Sequence, residues 1–74
     1  MDMRTFLKTT SKTERERVAK EAETTVAYLF QLAGGHREPS VKLAMRLEKA
    51  SGGLLSRRDL RPDIFRDIHQ ENVA

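Results

Sequence analysis

The chain contains no cysteine, which excludes a disulfide framework and any thiolate metal site. Nothing covalent staples a 74-residue chain of a size that buries only about 60% of the surface exposed when unfolded. Helix packing, with or without self-association, has to supply the stability. The lack of thiols also suits a reducing cytoplasm. Long apolar runs are missing as well: Met1-Asp2-Met3-Arg4 leads into none of signal-peptide length, and no stretch approaches the roughly 20 residues of a membrane span. A soluble, cytoplasmic protein is expected. Aromatic and β-branched residues are sparse and never alternate over the length of a strand, so a sheet is not expected either.

Charge is present in both signs. Fourteen Lys and Arg against eleven Asp and Glu give a net charge of +3 and a pI near 9.7, a balance that favours polyanionic partners without demanding one. Apolar residues recur at spacings of three and four, the period of an amphipathic helix. Met3, Phe6 and Leu7 predict a short first helix ending at Thr9-Thr10-Ser11. Ser11-Lys12-Thr13-Glu14 has the spacing of a capping box and opens a second helix with a narrow apolar stripe of Val18, Ala19 and Ala22. Thr24-Thr25 offers the next N-cap, followed by Tyr28, Leu29 and Leu32 until Gly34-Gly35 stops the helix. His36-Arg37-Glu38-Pro39 reads as a loop, and Ser40 caps a fourth helix carrying Leu43, Ala44, Leu47 and Ala50. Ser56-Arg57-Arg58-Asp59 opens a short fifth element, and Arg61-Pro62-Asp63 starts a turn through Ile64 and Phe65. The expected fold is all-α, a compact bundle of about five short helices over residues 1–69, with 70–74 as a frayed tail.

The stretch from Arg15 to Ser40 carries the functional signal. Two helices joined by a tight turn cross closely only when a residue near the middle of the first is small, and Ala19 fills that place. Leu29 and Leu32 close over it, leaving Thr25, Val26, Ala27, Phe30 and Gln31 as an outward ridge of a width suited to the DNA major groove. Val18-Ala19-Lys20-Glu21-Ala22, Tyr28-Leu29-Phe30-Gln31-Leu32 and the Gly35-His36-Arg37-Glu38-Pro39-Ser40 loop together resemble the helix-turn-helix of the Cro and phage-repressor superfamily. Phe6-Leu7-Lys8, Tyr28-Leu29 with Gln31-Leu32, and Leu60-Arg61-Pro62-Asp63-Ile64-Phe65 further resemble the YdaS-like subfamily, small prophage regulators sometimes described as antitoxins.

The resemblance implies a lambda-repressor-like bundle in which the helix at about 25–33 reads the major groove, acting as a homodimer on a palindromic double-stranded operator. It implies base-facing roles for Thr25, Val26, Ala27, Phe30 and Gln31. Arg15, His36, Arg37 and Lys42 fall where that family approaches the DNA backbone, and the Tyr28 hydroxyl can reach a phosphate. Two residues depart from the family's pattern. Glu23 stands where the turn usually has glycine, at a cost of about 1–2 kcal/mol if the backbone there is left-handed. Phe30 replaces a residue that is often polar or basic, although it can touch a thymine methyl.

Each of these residues also has an ordinary reading. Arg15, Arg17 and Lys20, interleaved with Glu14, Glu16 and Glu21, can form a solvated helix face, and Arg37 and Lys42 can be plain surface cations. Gln31 can pair with adenine or simply be exposed, Phe30 can pack against the loop or a partner, and Tyr28 fits a core edge. His36 and His69 lack ligand spacing, so no metal is expected, nor a cofactor. No nucleophile, base and orienting group cluster, so no enzyme or small-molecule substrate is expected. The alternative to an operator-binding regulator is a protein-interaction module such as an antitoxin or phage inhibitor. Leu54, Leu55, Leu60, Ile64 and Phe65 are divided between core and a possible dimer patch, with no basis in sequence for the division.

Overall fold

A polar side chain at every helix start defines the architecture. The computed structural model describes residues 1–65, among which five α-helices and no strand are found: α1 (Met3–Thr9), α2 (Lys12–Glu21), α3 (Val26–Ala33), α4 (Val41–Ala50) and α5 (Arg57–Leu60). Asp2, Ser11, Thr25, Ser40 and Ser56 each accept a hydrogen bond from the backbone N–H three residues on, satisfying one of the donors that a helix start leaves free. His69 and the 70–74 tail lie outside the described residues, as does the end of the 1–69 domain.

The capping boxes form only by half. Ser11 Oγ accepts from Glu14 N at 3.1 Å, but the Glu14 carboxylate turns to Arg17 Nε at 3.0 Å. Ser56 Oγ likewise takes Asp59 N at 3.1 Å, while the Asp59 carboxylate accepts from the Met1 amino group at 3.0 Å. In both cases a cation or amine competes better for the carboxylate than the backbone donor does.

Helix ends follow one pattern three times. After α3, Gly35 N donates to Leu32 O and His36 N to Gln31 O. After α4, Gly52 N donates to Lys49 O and Gly53 N to Glu48 O. After α2, Glu23 N donates to Lys20 O at 3.0 Å and Thr24 N to Ala19 O at 2.8 Å. This is the paired bonding of a Schellman end, which needs a left-handed residue just past the cap. Gly35 (φ 79°) and Gly52 (φ 66°) meet that need; after α2 it is met by Glu23, at φ 63°.

Phe6, Val18, Leu29, Leu47 and Leu55 are completely buried and join Met3, Leu7, Ala19, Ala22, Leu43 and Ala50 in one core. α1 packs on α3, α2 on α3 and α4, and α5 on α4. Ser51, itself buried, accepts Leu55 N at 2.9 Å and donates to Glu48 O at 3.2 Å, which turns Leu55 inward after α4. The apolar residues that sequence left undivided are now sorted. Leu55 is core, Leu60 packs partly against it, Leu54 and Ile64 are exposed, and Phe65 lies half-buried under the Arg57 guanidinium, 5.5 Å from its ring centre. Beyond α5 the chain makes a single turn, with Ile64 N and Phe65 N both donating to Arg61 O. The whole is consistent with a small helix-turn-helix bundle.

Candidate nucleic-acid interface

α2 and α3 are brought together by Ala19, which is buried and carries no side chain that holds the two helices apart. The turn between them is fastened from outside by Arg46 of α4, whose Nε donates to Ala22 O at 3.0 Å. Leu29 seats α3 in the core, and the helix advances about 100° per residue. Ala27 and Gln31, two before and two after Leu29, point away from the core, and both are exposed. Phe30, one residue on, lies on the flank and is 53% exposed.

Val26 does not join this ridge. It lies three residues before Leu29, hence on the same face, and is half-buried against the core, which corrects the expectation that it faces outward. Thr25 is exposed, but its hydroxyl oxygen accepts Tyr28 N at 3.1 Å as the cap of α3. Tyr28 is half-buried and packed against the core, as its core-edge reading anticipates. The outward surface of α3 is therefore Thr25, Ala27, Phe30 and Gln31.

The expected backbone-facing cations occupy two places. Arg37 and Lys42 are exposed, on the α3–α4 loop and the first turn of α4, and neither takes part in an ion pair among the described residues. His36 is exposed and folds back over Gly34, so that a Cβ added there would lie 2.9 Å from His36 Cδ2. Arg15 sits apart, half-buried, with Nη1 donating to Leu7 O at 2.9 Å. Its Nε is buried without a hydrogen-bond partner, so much of this guanidinium serves the junction of α1 with α2. Arg17 is neutralised by Glu14 and by Glu21 at 2.9 Å, as the solvated-face reading anticipates, and the same contact holds the Glu14 carboxyl below its ordinary pKa.

The loop carrying His36 and Arg37 is held by Arg61, which the sequence marks only as the start of a turn. Arg61 Nη1 donates to Pro39 O at 2.7 Å. Its Nε and Nη2 engage the Asp63 carboxylate at 2.9 and 2.7 Å, which lowers the Asp63 pKa and raises that of Arg61. Pro39 is buried beneath this contact. The bond spans 22 residues, so no local pattern announces it; the Arg61-Pro62-Asp63 turn is the only trace in sequence.

Among the described residues, no group of three His, Cys, Asp or Glu side chains gathers as it would around a metal ion, and no helix is long and apolar enough to cross a membrane. What the geometry presents is a short helix with an exposed ridge, flanked by exposed cations. No family model matches the chain. The chain is similar to a prophage transcriptional regulatory protein of Escherichia coli strain K12, with 30% identity over 63 residues that cover 85% of this chain and 96% of that protein. With 30% identity over 85% of its length, the chain belongs to the family of phage-type transcriptional regulators.

Proposed function

We propose that the protein is a sequence-specific regulator of the Cro-like repressor type, YdaS-like in subfamily, that binds a double-stranded operator by laying α3 in the major groove. The exposed ridge of α3, held against α2 by the buried Ala19 and flanked by the exposed Arg37 and Lys42, is the observation that carries this reading. Arg37, Lys42, His36 and the outer part of Arg15 set register on phosphates, with Tyr28 at the edge. Thr25, Ala27, Phe30 and Gln31 meet base edges, Gln31 suiting adenine and Phe30 a thymine methyl. Val26 supports this surface from its inner side. Two copies bind half-sites about one helical turn apart, roughly 34–36 Å, and repression follows by occluding a promoter.

In-vitro selection from a random duplex library tests the proposal. The expected result is a symmetric motif preferred at least about a thousandfold over scrambled DNA near physiological salt. Weak binding without a motif overturns it. Phe30, 53% exposed, favours a second reading, in which the same face grips a protein. Replacing Arg37 and Lys42 together by glutamine separates the two, because a protein-binding module keeps its function when phosphate contacts are lost.

A further inference from the structure

α1 bears two cations one helical turn apart, Arg4 and Lys8, both exposed and both lining a cleft of about 310 Å³ against α3. Leu7, Phe30, Ala33 and Gly34 complete its lining. Arg4 Nη2 donates to Ala33 O at 3.3 Å, which fixes α1 alongside the last turn of α3. Lys8 takes part in no ion pair among the described residues.

A helix with its side chains is about 10–12 Å across, and the major groove is about 12 Å wide. A helix seated in that groove therefore brings whatever lies directly beside it onto a phosphate ridge. Phe30 of α3 and Lys8 of α1 line the same cleft, and both are exposed. We propose that Lys8, supported by Arg4, is a further phosphate-contacting residue, clamping the DNA strand on the Phe30 side of the recognition helix while Arg37 and Lys42 contact the backbone from the loop and α4. The inference rests on the DNA-binding reading above and assigns α1 a direct part in it.

The test is affinity for the selected operator and for a scrambled duplex across a salt series, for the wild type and for Lys8→Gln, Lys8→Arg and Lys49→Gln. Each phosphate contact contributes about 0.9 to the slope of log affinity against log salt. The Lys8→Gln variant should lose affinity for both duplexes by the same factor. Its slope should be shallower by about 0.9 per bound copy, so that the affinity drop between 50 and 200 mM salt shrinks roughly threefold per copy. Lys8→Arg should retain the wild-type slope, and so should Lys49→Gln, on the exposed last turn of α4. Lys8 is exposed, so thermal unfolding of Lys8→Gln should match the wild type. An unchanged slope in Lys8→Gln, with operator binding intact in the wild type, overturns this inference and leaves the DNA-binding reading standing. Absence of operator binding by the wild type overturns both.

Discussion

Glu23 holds a left-handed backbone, φ 63°, at a position where the two equivalent helix ends in this chain have glycine. A residue with a Cβ pays about 1–2 kcal/mol for that conformation, against which the extra freedom of glycine in the unfolded chain returns about half. Glu23→Gly should therefore stabilise the fold by about 0.5–1 kcal/mol, raising the thermal midpoint by roughly 3–6 °C in a domain of this size. A neutral or destabilising result in urea unfolding would show that the Glu23 side chain makes a compensating interaction. This strain is legible in the sequence through the family resemblance, whose pattern sets a glycine at this turn. Val26 departs from the outward ridge expected of it, because its spacing of three from Leu29 puts it on the core-facing side, where it is half-buried. Thr25, in turn, combines two duties. Thr25→Ala should cost about 1 kcal/mol through loss of the cap as well as any base contact, whereas Thr25→Ser keeps the cap. Comparing the stability and operator affinity of the two variants separates the duties.

At the level of elements, the caps and stops made the helices readable. Ser11, Thr25, Ser40 and Ser56 all cap as their spacing predicts, and glycine pairs end α3 and α4. The fasteners between elements were not readable, because Arg46 reaches Ala22 across 24 residues and Arg61 reaches Pro39 across 22. Nothing local marks such pairs. Their removal makes a distinct prediction: Arg61→Leu should speed amide exchange of the loop around His36 and Arg37 and lower operator affinity. Its salt slope should stay unchanged, since Arg61 is committed to Asp63 and Pro39 and is not counted among the phosphate contacts. A shallower slope would instead show that a phosphate contact is lost with the strap, that of Arg37 or of Arg61 itself.

For the whole molecule, stability rests on a small core joined at its margins by carboxylates. Glu48 accepts both Nε of Arg57, at 2.7 Å, and its backbone N–H, at 3.2 Å, tying α5 to α4. The Arg57 bond holds the Glu48 carboxyl below its ordinary pKa of 4.5. A carboxylate with a depressed folded pKa contributes stability above its unfolded pKa and loses it as pH falls through the folded one. Thermal midpoints should therefore decline as pH drops below about 4.5. Glu48→Gln should be less stable than the wild type at neutral pH and decline less steeply with acid, the two converging once Glu48 is protonated. Parallel acid profiles would show that this link contributes nothing. The core itself is less forgiving: Leu29→Ala, at a fully buried site, should cost about 2–5 kcal/mol, enough to unfold a domain with little stability to spare.

The reach of Arg61 to Pro39 has a consequence for trimming. The hydrogen-bond ladders of α1 to α4 and the N-cap of α5 all lie before residue 61. A chain cut just after Leu60 keeps these ladders and nearly all of its core, yet the cut severs the strap on the α3–α4 loop. Its first symptom would be a slack Arg37 rather than a melted helix, so Arg61 acts as a tensioner for the surface proposed to meet DNA.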